Sequence, residues 1–269
     1  MSDSAHWYTQ KGEPAHDSTL RDARKLNLLP SVTSILKILD KPQLTSWRVE
    51  QGIMAALTLP QKPGEPVEDF ARRVVEDASA HSKSAAEFGT EIHTYIEQHL
   101  ATGKIIPCGS GIEFWPPIRD WLDKNVSEVR MSEKVVVDLD YGYAGRLDLV
   151  ADLGGRLTLI DFKTQGTKPG KAINKYPEWA WQLAAMYFAV EAPIARWVNV
   201  VISSSEEGRI EVVDWSIDDI QRGWKVFVRL LELWRLIKKF EFVREQRVQI
   251  LDEDGKEITQ IKLTYHKMD

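Results

Sequence analysis

The chain has 269 residues, 43% of them hydrophobic and 28% charged, with a formal net charge of −5, the composition of a globular protein with a sizeable core. No apolar run approaches the ~18 residues of a membrane span, and the N-terminal stretch has no basic-then-apolar leader, so a cytoplasmic location is expected. Cys108 is the single cysteine, which excludes an internal disulfide, a cysteine-held zinc site and a four-cysteine iron–sulfur cluster.

The first 29 residues carry few apolar anchors and are expected to be irregular. Pro30-Ser31 opens a short apolar-periodic helix (Val32, Ile35, Leu36, Leu39) that should end near Asp40-Lys41-Pro42. Further helices are expected over Leu44–Leu57 and Pro66–Ala80, separated by the breaker segment Pro60–Pro66, so that 30–83 forms a helical region. Ser84–Ala101 and Ile112–Asn125 read as two more helices. The period then changes to two, and strands are predicted at Glu133–Asp138, Ala144–Leu153, Arg156–Lys163, Arg196–Ser203 and Arg209–Asp214. The helix Glu178–Val190 interrupts them. Ser216 with Asp219 is a capping-box variant opening a long helix to about Glu245, and the 251–269 tail can add a strand at Ile258–Tyr265. This order predicts an α/β (α+β) sandwich: a central mixed sheet with an antiparallel three-strand meander, flanked by helices over 84–250.

The most informative stretch runs from Tyr143 to Thr164. Gly154-Gly155 between two alternating runs signals a two-residue hairpin. With those glycines as the loop, Leu153 pairs with Arg156, and counting back along both strands puts Asp148 across from Asp161, roughly 4.5–5.5 Å apart at Cβ. Two carboxylates so placed destabilise a sheet, and burial under helices adds to the cost. Solvent exposure, a shared proton or a bound cation would each resolve the conflict; the apolar neighbours Leu147, Leu149, Leu157, Leu159, Ile160 and Phe162 count against exposure, and a divalent cation satisfies both carboxylates at once. Lys163 lies on the face of Asp161 because strand side chains repeat every two residues. For an isolated Asp-x-Lys a surface ion pair of little consequence is the better reading; the second acid in register is what points to a metal site.

Three motifs carry a family resemblance: Gly145-Arg-Leu-Asp148, Ile160-Asp161-Phe-Lys163-Thr164, and Phe88-Gly89-Thr90-Glu-Ile-His93. The chain resembles the PD-(D/E)XK nuclease superfamily in its RecB-like branch. Pro30-Ser31-Val-Thr33 and the overall layout are similar to phage exonucleases and the mitochondrial genome maintenance exonuclease family. The resemblance implies Mg²⁺ or Mn²⁺ held by His93, Asp148, Asp161 and the backbone carbonyl of Phe162. Lys163 would then orient or help deprotonate the attacking water. It also implies phosphate contacts from Ser31 and Thr33, and an active-site or DNA contact from Gln182. Tyr187 departs from the branch's pattern, which places a tyrosine at the position of Met186. Arg146 and Thr164, inside the two strand motifs, are further candidate nucleic-acid contacts. So are Lys168, Lys171 and Lys175, in a stretch from Phe162 to Pro177 without an acidic residue. Some of the ten tryptophans, among them Trp47, Trp179 and Trp181, have the chemistry to stack on bases.

The expectation is a metal-dependent DNA exonuclease acting on single-stranded ends in phage-type replication or recombination, alongside other proteins of those processes, with 30–83 as an arch over the site. A structure-specific or restriction-type endonuclease on the same core, and a catalytically silent DNA-binding module, are the alternatives.

Overall fold

The computed structural model describes residues 6–39, 42–251 and 257–265. The helix end expected at Asp40-Lys41 and parts of the 1–29 and 251–269 segments lie outside them. From His6 to Pro30 the described residues hold regular elements where irregular structure is expected. Trp7–Tyr8 (β1) pairs with Leu29–Pro30 (β2) around the helix Leu20–Leu26 (α1). Thr19 caps that helix in a reciprocal capping box with Asp22. The apolar anchors here are few but are spent in the core: Trp7, Tyr8, Ala23, Leu28 and Leu29 are all buried. Spacing alone does not betray such scattered residues, which is why the segment reads as irregular.

Val32–Leu36 (α2) follows, capped by Ser31, and then Pro42–Thr58 (α3). Val67–Thr102 forms one helix of 36 residues (α4) where two are expected, so the anticipated boundary at 83–84 falls inside a helix. No proline or glycine interrupts the sequence there, and nothing ends the helix before Gly103, whose left-handed backbone (φ 70°) closes it. A 3₁₀ turn at Ser110–Phe114 leads into Trp115–Asn125 (α5).

The remaining strands and helices are Val126–Ser132 (β3), Val135–Asp138 (β4), Tyr143–Arg146 (β5), Leu149–Leu153 (β6), Leu157–Gln165 (β7), Pro177–Ala189 (α6), Arg196–Ser203 (β8), Ile210–Trp215 (β9), Ile217–Lys238 (α7), Val243–Leu251 (β10) and Glu257–Tyr265 (β11). The central sheet is mixed, ordered β3-β6-β7-β8-β9. Its antiparallel trio is β3-β6-β7; β7 and β8 run parallel, joined through α6, and β9 returns antiparallel. The trio differs in membership from the predicted meander. The expected strand Ala144–Leu153 splits into β5 and β6, β4 and β5 pair apart from the main sheet, and the unpredicted β3 takes the outer place. The final helix stops seven residues short of the expected Glu245, at Lys238, where Lys239 turns left-handed. Ser216 and Asp219 do form its capping box, and β11 pairs with β10.

Helices cover both faces of the sheet. Leu149, Ile160, Phe162, Val198 and Val200 pack with Ile92, Tyr95 and Ile96 of α4 and with Ile118 and Leu122 of α5. On the other face Val150, Leu159 and Trp197 meet Leu183 and Ala184 of α6 and Phe227, Leu231 and Trp234 of α7. The chain is thus an α/β sandwich, as its element order predicts. Among the described residues no helix is long and apolar enough to cross a membrane.

Candidate metal centre

The hairpin register is the one the glycines impose. Gly154 and Gly155 both have positive φ (64° and 81°), as a type I′ turn requires, and Leu153 N–H donates to Arg156 O at 3.0 Å. The ladder then runs back to Leu149↔Ile160. One step further the chain bends, and Asp148 leaves the ladder just before it would pair with Asp161. Its Oδ2 instead accepts the Phe162 N–H at 2.8 Å.

A second register meets the first at Asp148. Ser132↔Leu149 and Val135↔Arg146 belong to one continuous antiparallel pairing, so Glu133 falls opposite Asp148. Glu133 N–H donates to Asp148 O at 2.9 Å, and Leu147 N–H to Lys134 O at 2.9 Å. The long hairpin kinks at this point, and Glu133 takes a left-handed backbone (φ 49°), uncommon and strained for a residue with a side chain. Asp148 therefore stands between Glu133 on one neighbouring strand and Asp161 on the other.

His93 of α4 completes the cluster. Its Nδ1 lies 3.7 Å from Asp148 Oδ2, and its ring meets Phe162 edge to face at 6.3 Å. Single ligand atoms of His93, Glu133 and Asp148 all lie within 4.8 Å of one another. The helix reaches the sheet here because Gly89 sits over Thr164: a Cβ at Gly89 would stand 3.0 Å from Thr164 Oγ1. Glu133 is a residue the sequence reading misses, since its place depends on β3, a strand whose polar, largely exposed residues give no alternation.

Asp161 and Lys163 face the opposite helix layer. Lys163 Nζ lies 2.8 Å from Asp161 Oδ2 and donates to Oδ1 at 3.0 Å and to Gln182 Oε1 at 3.1 Å. Gln182 Nε2, from α6, donates to Asp161 Oδ1 at 2.8 Å. Asn199, paired with Asp161 in the parallel ladder, donates its Nδ2 to Asp161 Oδ2 at 2.5 Å. The orientation of that amide is determined: Trp215 Nε1 can only donate and meets Asn199 Oδ1 at 2.7 Å, leaving the nitrogen for the carboxylate. Asn199 is the second residue the sequence reading misses; a lone amide inside the apolar run Trp197–Ile202 was its signal.

The electrostatics are those of a site short of positive charge. Burial, then the charge of Asp161, pushes the Asp148 carboxyl up to about 7, against the opposing pull of His93, Lys163 and the Phe162 N–H. Burial also raises Glu133, partly offset by Arg146 and His93; Arg146 Nε stands 2.9 Å from its carboxylate. Three carboxylates share one lysine, one arginine and one imidazole. An oxygen-rich set with one imidazole has the chemistry to take Mg²⁺ or Mn²⁺, whose charge would balance the acids. Asp161 is the least available of the acids, its oxygens already engaged by Lys163, Gln182 and Asn199.

No protein-family model and no curated protein matches the chain. Among solved structures, one described as "Crystal structure of SSO0001" matches with a TM-score of 0.33 and 13% identity, over 72% of this chain and 86% of that one. A likeness so slight carries no argument, and the site rests on its own geometry.

Ser31 is buried and occupied as the cap of α2, accepting the Ser34 N–H at 3.0 Å, while Thr33 beside it is exposed. Arg146 is exposed but paired with Glu133, and Thr164 is half-buried beneath Gly89. Lys168, Lys171 and Lys175 are exposed on the loop between β7 and α6. Met186, where the family pattern has tyrosine, packs on Gly145: a Cβ there would lie 2.5 Å from its Cε. Tyr187 turns to Trp197, 5.1 Å edge to face. Of the tryptophans, Trp179 is buried and Trp47 and Trp181 are half-buried.

Proposed function

We propose that the protein is a metal-dependent nuclease that hydrolyses phosphodiester bonds, as a DNA exonuclease on single-stranded ends. The observation that carries this reading is the cluster of His93, Glu133 and Asp148 at the kink of the sheet, with Asp161 on the neighbouring strand close enough for its charge to act on Asp148 and Lys163 bound to Asp161. His93, Glu133 and Asp148 would hold the ion, with Asp161 and the Phe162 carbonyl as the neighbouring donors. A bound Mg²⁺ or Mn²⁺ supplies a nucleophile at neutral pH and stabilises charge on the phosphate. Lys163, held between Asp161 and Gln182, orients the incoming water or a phosphoryl oxygen. Asn199 and Gln182 fix Asp161 so that little reorganisation accompanies the reaction. The α3–α4 hairpin is the segment that would admit a free end, and processes that generate single-stranded ends, replication and recombination of phage type, would supply the substrate.

The test is digestion of end-labelled linear and circular single strands with Mg²⁺ or Mn²⁺. Linear strands should be degraded and circles spared; cutting of circles would replace the exonuclease reading by an endonuclease on the same core. Asp161→Ala should lower cleavage roughly 100-fold or more while strand binding persists, and Glu133→Gln should weaken Mn²⁺ binding by calorimetry about tenfold or more. A protein that binds strands yet degrades none with either ion is a binding module, and the nuclease reading falls.

A further inference from the structure

The loop between β7 and α6 carries Lys168, Lys171 and Lys175, all exposed, yet its backbone is tied down at four points. Arg209, at the start of β9's hairpin, donates from Nη1 to Lys168 O at 3.1 Å and from Nη2 to Lys171 O at 2.6 Å. These two carbonyls flank the turn closed by Lys171 N–H on Lys168 O at 3.0 Å, in which Gly170 has φ 71°. Gln165 brackets the far side, accepting the Asn174 N–H at 3.0 Å and donating to Asn174 O at 3.2 Å. Thr167 N–H donates to Ser205 Oγ at 2.8 Å, and Ser205 Oγ–H returns to Thr167 O at 2.8 Å. Between the lysines, Ile173 is buried against Trp179, Val201 and Val213.

This is an unusual investment for a solvated loop. Its ends join strand β7, which carries Asp161 and Lys163, to helix α6, which carries Gln182. Arg209 itself has no charge to offer a ligand, because Glu206 and Glu211 flank its guanidinium at 2.6 Å each. Its forked donors are used on carbonyls, a task that a lysine's point charge does not reproduce.

We infer that Arg209 and Gln165 are positioning residues that hold the lysine loop pre-ordered as a contact surface for the phosphate backbone of a single nucleic-acid strand. The inference rests on the nuclease reading for its ligand. Ordering the loop before binding removes an entropic cost that the lysines would otherwise meet on contact, and the lysines then act on phosphates without regard to sequence.

The test uses the full chain and a fluorescein-labelled thymidine oligonucleotide of about twenty nucleotides, followed by anisotropy without divalent cation. Arg209→Lys keeps the charge and loses the fork; it should weaken binding about tenfold, and Arg209→Ala should weaken it equally. Gln165→Ala should repeat the loss in smaller measure. Hydrogen exchange of 166–175 should quicken in each, with the melting temperature nearly unchanged. In the Lys168→Ala/Lys171→Ala/Lys175→Ala background, Arg209→Lys should cause no further loss, because it acts through those lysines. Wild-type affinity in Arg209→Lys, or an equal loss with the lysines absent, overturns the inference while leaving the nuclease reading intact. If the wild type binds no strand, the substrate reading falls and takes the inference with it.

Discussion

Around Asp161 the side chains are packed and partnered: Ile160, Val198 and Val200 are at most 1% exposed, and each carboxylate oxygen meets at least one donor. Along α3 the relation is reversed. Val49, Ile53 and Leu57, spaced by four and so on one helix face, are 57%, 55% and 76% exposed, and Ala55 is the helix's buried apolar residue among those described. Val67 and Val75 of α4 are likewise exposed. The two regions differ in what fixes them. The sheet is held by layers on both faces, so a side chain on it keeps its position without help from a ligand. The α3–α4 hairpin, up to the point where α4 reaches the sheet near Phe88, is held mainly by contact of one helix with the other and by a stapled loop. A site that must present charges within tenths of an ångström belongs on the first kind of element, and a segment that opens locally is drawn from the second.

Truncation gives the largest separation between them. Phe227→Ala, removing a ring that is fully buried under the sheet, should cost about 3–5 kcal/mol in chemical denaturation. Ile53→Ser on α3 should stay within about 0.5 kcal/mol of wild type. Comparable losses would mean that the α3 stripe is covered in solution and that the two regions are fixed alike.

The next effect lies inside the site. Because burial and Asp161 push the Asp148 carboxyl from 3.8 to about 7, the fold favours its protonated form. The stability so gained is complete below the unfolded value and is lost as pH rises through the folded one. Without metal, Asp148→Asn should therefore gain on wild type between about pH 4 and pH 7, by on the order of 1–4 kcal/mol, and show no gain below that window. The amide oxygen can still accept the Phe162 N–H, so the comparison isolates the charge. Thermal melts in EDTA at both ends of the window check this, and a pH-independent difference would show that Asp148 is not strained by its charge. Added Mn²⁺ should stabilise wild type more than the variant.

Much of this arrangement is legible in the residues alone. Gly154-Gly155 sets the register that brings Asp148 to the level of Asp161, and the strands expected at Arg156–Lys163 and Arg196–Ser203 are found as β7 and β8, though their parallel pairing is not read from the residues. What escapes is what depends on exposed or continuous structure. β3 has an outer position and polar side chains, so its pairing leaves no apolar alternation, and Glu133, placed by that pairing, is missed with it. The bend at Asp148 is equally silent, because it comes from a hydrogen bond to Phe162 across the hairpin rather than from a local breaker. α4 is divided in the sequence reading because its polar middle resembles a connection, although a helix needs a stop signal to end and none is present.

The smallest expected effect concerns the loop that closes the α3–α4 hairpin. Arg73 grips Glu65 with two parallel bonds of 2.8 Å, Nε to Oε1 and Nη2 to Oε2, and Nη2 also donates to Pro60 O at 2.9 Å. The guanidinium bonds, then the Lys62 N–H, lower the Glu65 carboxyl to about 2, so the staple persists throughout the neutral range and is lost only as pH falls toward that value. Surface pairs contribute little to global stability even when bidentate. Arg73→Ala should accordingly leave the melting temperature unchanged while residues 59–66 exchange amide hydrogens faster, an effect confined to the turn. If exchange also quickens across β7, the hairpin and the sheet are mechanically one unit, and the α3–α4 segment cannot move independently of the site it flanks.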